Sequence, residues 1–343
     1  MLRTAILGCG PRGAAHAAAY AAGVGAGSLQ ACCDLDLGRL EAFAARFSIP
    51  QRFADPAAML RQVRPDLLHV VVGPEQRAAV LPVLLQERPR AVLVEKPLAR
   101  GPDESAGWTD GCAAAGVPLF LNHHLRYHRP FAAVRAAIAA GALGRIEFGR
   151  GSCRGNLLEQ GTHLFDLLSF MLGDPPVTWV LAQAEGAEGY AGNHSSPTYC
   201  AGVACFAPDL HVSFECGPPA GTWRREPVFW WNKGVEFVGE RGRAGASTNH
   251  GWWVQTEAGL TGESVAYDPE DLRAQAALTE SILRSLDSPQ DHPAHIGTAG
   301  RSFDLVIAAQ RSALLRRRVD PREPARDAEL AALRAALEGA PRA

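Results

Sequence analysis

Three clusters in this 343-residue chain have the residue types and spacing to do chemistry. The first is Gly8-Cys9-Gly10-Pro11-Arg12-Gly13, between an apolar run ending at Leu7 and the small-residue stretch Ala14 to Ala22. A strand, a glycine turn and a helix in that order cradle phosphates. Gly8 permits the tight turn, Gly10 lets the backbone approach a pyrophosphate, and Gly13 lets the helix pack close to the strand. The helix that starts at Pro11 then offers the backbone N–H groups of its first turn, from Arg12 on, to the phosphate oxygens. Asp34, twenty-one residues beyond Gly13, ends the second apolar run, where a carboxylate accepts hydrogen bonds from adenosine ribose hydroxyls. Its charge opposes a 2′-phosphate, so NAD is expected rather than NADP, although a small backbone shift could let the nearby Arg39 serve a phosphate. The second cluster, Glu95-Lys96-Pro97, closes the run Ala91 to Val94 at the strand end where open α/β sheets bind ligands. The third is Glu159, His163 and Asp166, spaced by four and three. On a regular helix they share a face, and a carboxylate one turn from an imidazole orients it and raises its pKa, as an acid/base group near neutrality requires. Asp166 is expected to cap or anchor that helix or to pair with a cation. Against these readings stand plainer ones: a turn carboxylate for Asp34, a surface ion pair for Lys96, a satisfied core histidine for His163.

The elements that must position these groups follow from hydrophobic patterning. Thr4–Leu7, Leu29–Cys33, Leu67–Val72, Ala91–Val94 and Val117–Leu121 read as buried parallel strands. Amphipathic stretches alternate with them, such as Leu40, Phe43, Ala44 and Phe47 before Pro50. That alternation predicts a doubly wound parallel sheet with ligand at the strands' carboxyl ends. After about residue 145 the runs are longer and β-like: 145–152, 177–183, 198–206, 210–216, 228–238 and 252–256. Helices are expected at 271–286 and 301–315, packed on either domain, and the segment from Glu329 reads as a weak helix or frayed tail. The pairs Trp230–Trp231 and Trp252–Trp253 fall on strand-like segments, which would point their rings to opposite sides of a sheet. His292 and His295 read as part of a solvated loop.

With the glycine loop, the Glu95-Lys96-Pro97 turn some eighty residues later, Leu121-Asn122-His123-His124-Leu125-Arg126-Tyr127 and Gly141-Ala142-Leu143-Gly144-Arg145-Ile146, the chain resembles the Gfo/Idh/MocA oxidoreductases. The resemblance covers nearly the whole chain and is strongest over 4–173. It implies an α/β plus α+β architecture: a Rossmann domain over 1–121, a C-terminal α+β domain on a large, open, mainly antiparallel sheet over 122–320, and a tail over 321–343. It implies that Lys96 sits beside the nicotinamide and binds or polarises the substrate oxygen, with the bond to Pro97 often cis, and that Glu95 belongs to the cofactor site. His163 matches the family's acid/base histidine, and Glu159 stands where the family has an aspartate. Asn122 and Arg126 fall where relatives contact substrate, and read equally as polar residues of the interdomain connection. The resemblance also implies dimers or tetramers formed through the open face of the second sheet. One departure is Pro74-Glu75-Gln76-Arg77, where relatives often carry a histidine three residues after the proline.

Composition narrows the partners. With 34 basic and 36 acidic residues the net charge is −2, which gives no reason to expect nucleic acid. The start Met-Leu-Arg-Thr-Ala-Ile-Leu-Gly runs straight into a strand without a signal-peptide pattern, and no apolar run is long enough to span a bilayer. Eight cysteines without metal-site spacing read as buried free thiols of a reducing, cytoplasmic compartment, and no metal is expected. The leading expectation is NAD(P)-dependent hydride transfer to or from a secondary alcohol of a sugar, inositol or polyol. The alternatives are a redox-neutral NAD-dependent glycosidase and a nucleotide-binding sensor without chemistry.

Overall fold

A computed structural model describes residues 1–222 and 225–339. The chain divides into two compact units, the first comprising Met1–Ala99, Glu104–His124 and Asp271–Gly300, the second Arg100–Asp103, Leu125–Glu270 and Arg301 onward.

In the first unit six parallel strands, β1 (Leu2–Leu7), β2 (Gly27–Cys33), β3 (Gln51–Phe53), β4 (Leu67–Val70), β5 (Val92–Val94) and β6 (Leu119–Leu121), lie in the order β3-β2-β1-β4-β5-β6. The strand order reverses between β1 and β4, which makes their carboxyl ends the ligand-binding edge of such a sheet. The connections are helices α1 (Pro11–Gly23), α2 (Leu37–Phe47), α3 (Pro56–Val63), α4 (Pro74–Glu87) and α5 (Pro102–Ala115). In α2, Leu40, Phe43 and Ala44 form one buried stripe; Asp36 caps its start by accepting from the Arg39 amide, and left-handed Ser48 ends it. The five anticipated strands are present. The sixth, β3, was not anticipated because its three residues are largely exposed and include Gln51 and Arg52, so no apolar run marks it.

The second unit begins with α6 (Arg129–Ala139) and carries eight strands: β7 (Ile146–Cys153), β8 (Val177–Glu185), β9 (Tyr199–Phe206), β10 (Leu210–Cys216), β11 (Lys233–Gly239), β12 (Gly242–Ser247), β13 (Gly251–Thr256) and β14 (Gly259–Glu263). Their order is β14-β13-β12-β11-β7-β10-β9-β8, antiparallel throughout except for the β7–β10 pair. Between β7 and β8 lies α7 (Thr162–Met171), all ten of whose residues are buried. Gly149 and Gly151 point inward on β7, and a Cβ on Gly151 would lie 2.8 Å from Leu164 of α7, so the missing side chain lets helix and sheet approach.

Helix α8 (Tyr267–Arg284) and the short α9 (Ile296–Ala299) follow the last strand; residues 271–300 count with the first unit, although the sequence placed them in the second domain. Hydrogen bonds from the Ala26 amide to Glu280 and from the Leu121 amide to the Ala294 carbonyl tie them to it. Helix α10 (Arg301–Leu315) packs on β8 and α7, and α11 (Asp327–Glu338) packs on α10, so the segment from Glu329 is an ordered helix rather than a frayed tail. Two further expectations fail. Phe229–Trp231 form a 3-10 turn before β11, so Trp230 and Trp231 do not alternate across a strand. His292 is buried, packs edge-on against Phe120 and bonds the Ser281 hydroxyl at 2.9 Å instead of lying in a solvated loop.

Candidate active site

The glycine loop has a separate steric reason for each of its glycines. Gly8, at φ +106°, would put a Cβ 2.9 Å from the Val71 carbonyl group, and Gly13 would drive one into the Gly8 carbonyl oxygen. Gly10 is different: a Cβ there would meet nothing within 4 Å. The two outer glycines therefore shape the turn, and the middle one leaves open space in front of it. Pro11 occupies the first position of α1, where its missing N–H costs nothing, and the first-turn amides precede the helix's own hydrogen-bond ladder. Asp34 directly follows β2. Its Oδ2 accepts from the Cys9 amide at 2.8 Å and Arg39 Nε at 3.0 Å, its Oδ1 from the Asp36 amide at 2.9 Å and Arg39 Nη2 at 2.8 Å. Burial works against its ionisation, but Arg39 and the two amides prevail and hold the carboxyl below its ordinary range.

Glu95 lies behind this loop. Its carboxylate is buried; Oε1 accepts from Arg12 Nε at 2.6 Å, His16 Nε2 at 2.9 Å and Asn122 Nδ2 at 2.7 Å, and Oε2 from the Lys96 amide at 3.1 Å. Asn122 is engaged as well, donating to Gln275 Oε1 and accepting from Gln275 Nε2, both at 3.0 Å. Arg12 also reaches Gln275 Oε1 at 2.9 Å and Asp271 at 3.5 Å. This wiring involves three residues that the sequence assigned to the cofactor or the substrate. The Arg12 and Glu95 side chains bond to one another within the scaffold, and the Asn122 side-chain nitrogen is committed to Glu95 and Gln275. What remains of Arg12 for a phosphate is its place in the first turn of α1.

Lys96 is half-buried at the carboxyl end of β5, and the Lys96–Pro97 bond is cis, as the resemblance implied. Arg77, from the segment that departs from the family pattern, is fully buried and donates to the carbonyls of Pro97, Leu98 and Val72, tying the Lys96 turn to α4. Sequence reasoning missed Arg77, His16, His69 and Gln275. Their one signal is a polar residue among apolar or small neighbours, which does not name the partner.

In the second unit, Leu157–Gly161 form a π-helical turn capped by Asn156, whose Oδ1 accepts from the Glu159 amide at 2.8 Å. This turn separates Glu159 from His163 in the first turn of α7, so the unbroken helix on which their common face was expected is absent; such turns recur at functional sites. Buried Lys233 of β11 donates to Gln160 Oε1 at 2.7 Å and pins the turn to the sheet. Glu159 lines a cavity of about 550 Å³ with Arg154, Asn156, Arg225, Glu226 and Phe229. His163 is buried, with Nδ1 enclosed. Asp166 pairs with a cation, Arg126, which forks onto both Asp166 oxygens at 2.7–3.0 Å and onto Asp174 at 2.8 and 3.0 Å. Arg126, only 5% exposed, is thus a buried ion-pair centre.

Residues 2–123 match the family model described as an oxidoreductase family with an NAD-binding Rossmann fold. The chain is 30% identical to inositol 2-dehydrogenase of Rubrobacter xylanophilus over 246 residues, 69% of each chain. It is 26% identical to D-apiose dehydrogenase of Rhizobium rhizogenes over 190 residues, 50% of this chain and 54% of that one. It therefore spans about half the length of the latter. In fold it is similar to an oxidoreductase of Agrobacterium radiobacter solved with NAD+, L-tartaric acid and magnesium, with a TM-score of 0.80, 20% identity, and coverage of 93% of this chain and 98% of that one.

Proposed function

The chain belongs to the Gfo/Idh/MocA oxidoreductase family, and on that premise we propose that it is a nicotinamide-dependent dehydrogenase acting on a secondary alcohol of a sugar, inositol or related polyol. The observation that carries this reading is the glycine loop: two glycines that only glycine can satisfy, a third opening onto free space, and an ionised carboxylate at the end of the next strand. Gly8, Gly10, Gly13 and the first turn of α1 would hold the pyrophosphate, and Asp34 the adenosine ribose, in preference for NAD over NADP. Bound nicotinamide supplies a two-electron hydride acceptor.

The chain's own residues do the rest. Lys96 donates hydrogen bonds from Nζ to the substrate oxygen and stabilises the alkoxide as it develops. His163, with Nδ1 enclosed, exchanges the hydroxyl proton at Nε2, and Glu159 favours the charged imidazole. The cavity beside Glu159 has the volume of a small-molecule site and takes the polyol. Eight buried free thiols suit a reducing cytoplasm, and no helix among the described residues is long and apolar enough to cross a membrane. Phe148 and Leu181, exposed on strands of the second sheet, suit a homodimer or homotetramer joined there.

The test is reduced-nicotinamide absorbance with NAD+ and NADP+ over a panel of aldoses, polyols, inositols and aldonic acids, repeated with Lys96→Met and His163→Gln. Turnover in the wild type, lost at least 100-fold in each variant with cofactor affinity within about threefold, is the expected result. Turnover retained in both variants overturns the roles, and a wild type that binds neither cofactor overturns the reading.

A further inference from the structure

Behind the glycine loop a line of buried and partly buried polar side chains runs through the first unit. Tyr20 Oη lies 2.7 Å from His69 Nε2, His69 Nδ1 lies 3.0 Å from His16 Nδ1, and His16 Nε2 lies 2.9 Å from Glu95 Oε1. Both imidazoles are wholly buried. Proton bookkeeping gives this line one direction. Burial lowers the pKa of His16 despite Glu95, and lowers that of His69 further, so each ring carries a single proton near neutrality. Glu95, held far below its ordinary range by Arg12, His16 and Lys96 against the effect of burial, has no proton to give. His16 must therefore donate from Nε2, which makes its Nδ1 an acceptor. His69 must then donate from Nδ1 and accept at Nε2, and the Tyr20 hydroxyl must donate to it.

The line ends on a carboxylate with two duties. One oxygen of Glu95 holds Arg12, in the first turn of α1, and the other holds the amide of Lys96. We propose that Glu95, locked in one orientation by the Tyr20–His69–His16 line, is the positioning residue that keeps the phosphate loop and Lys96 in register, with His16 as its essential buttress. The proposal rests on the dehydrogenase reading, because it is that reading which puts the pyrophosphate at one end of the Glu95 bridge and the reacting carbon at the other. His16 touches neither cofactor nor substrate; it acts through Glu95. Its replacement leaves Glu95 with Arg12, Asn122 and the Lys96 amide but one donor short, and His69 Nδ1–H facing no acceptor, which loosens the hold on both.

The experiment compares His16→Leu, which removes the donor at similar volume, with His16→Gln, whose amide nitrogen reaches the place of Nε2. NADH affinity is read by fluorescence, and turnover on the most active alcohol of the panel at saturating NAD+. In His16→Leu the NADH Kd is expected to rise at least fivefold and kcat to fall at least tenfold, with His16→Gln recovering most of both. A purely structural histidine would lower Tm and the active fraction but leave Kd and kcat per active site unchanged, and that result overturns the proposal. If His16→Leu does not fold, the wild type still decides: ¹⁵N spectra must show two histidines of opposite tautomer, one Nε2–H and one Nδ1–H, whose signals hold from pH 8 to pH 6. Absence of the pair overturns the proposal. Failure of the wild type to bind nicotinamide cofactor removes the dehydrogenase reading instead, and wild-type turnover beside an unaffected His16→Leu removes the coupling alone.

Discussion

Asp34→Ser separates the carboxylate's two possible roles. In the structure Asp34 accepts two backbone amides, from Cys9 and Asp36, and two N–H groups of Arg39. An adenosine ribose must displace the Arg39 contacts, because the two amides belong to the loop itself. Arg39 is about half exposed, so giving up its pairing is a small cost. The ribose hydroxyls gain charge-assisted hydrogen bonds, a net contribution of about 2 kcal/mol, or roughly 30-fold in the Kd of NAD+. NADP+ meets the same carboxylate as a like charge, and removing it while leaving Arg39 free should improve NADP+ affinity by about tenfold or more. Together the Kd ratio should move by roughly 300-fold towards NADP+. The assay is isothermal titration of both cofactors against wild type, Asp34→Ser and Arg39→Ala. The last should weaken NADP+ while leaving NAD+ unchanged or slightly tighter. If Asp34→Ser weakens both cofactors equally, Asp34 only ties the Cys9 and Asp36 amides and the ribose assignment is wrong; if neither affinity moves, the cofactor does not reach it.

Gly10→Ala should leave Tm within about a degree or two, since its Cβ meets nothing, but weaken NAD+ at least tenfold; Gly13→Ala should instead lower Tm, because its Cβ overlaps the Gly8 carbonyl. Arg126→Leu leaves Asp166 buried and Asp174 partly buried without their cation and should destabilise the second unit by about 3 kcal/mol in denaturant melts, with NAD+ affinity unaffected. A raised substrate KM at unchanged stability would return Arg126 to the substrate site. Acid should also destabilise the fold. His16 and His69 have lowered pKa values when folded and ordinary ones near 6.5 when unfolded, so below that value the unfolded chain binds more protons. Their contribution is complete above about pH 6.5 and falls by up to about 2.7 kcal/mol per pH unit below it, a slope that urea melts at pH 7.5, 6.5 and 5.5 should show and a His16→Gln, His69→Gln variant should flatten.

The first unit was legible because parallel strands buried on both faces are continuous apolar runs, and Ala5–Leu7, Ala31–Cys33 and Leu67–Val70 are such runs. Strands β12 and β14 were not legible. Gly242–Ser247 is built of small residues, and every residue of Gly259–Glu263 is exposed, so neither alternation nor an apolar run marks them. No residue type announces the π-helical turn at Leu157–Gly161 either; it follows from the capping by Asn156 and the hold of Lys233 on Gln160, 73 positions away. The Glu95 network was hidden for the same reason. His16 and His69 are 53 residues apart and Asn122 and Gln275 are 153 apart, and only the folded chain pairs them.

Those distances explain why sequence reasoning assigned Asn122 and Arg126 to substrate binding. A polar residue in an apolar stretch is equally the mark of a binding group and of a buried anchor, because both are costly to bury and both need a partner. What separates them is whether the protein already supplies that partner. Asn122 and Arg126 have theirs, and both residues are buried, so a substrate would have to compete with the scaffold for them. Saturation alone is not decisive, however: Asp34 is as fully bonded as either. Half of its bonding comes from an arginine in contact with water, which a ligand can replace at little cost, while the two amides stay in place. A binding residue in this fold is therefore one whose partners divide into a buried set that fixes its position and an exposed set that can be exchanged. That criterion supports the cofactor role proposed for Asp34 and the positioning role proposed for Glu95, whose partners are all groups of the scaffold.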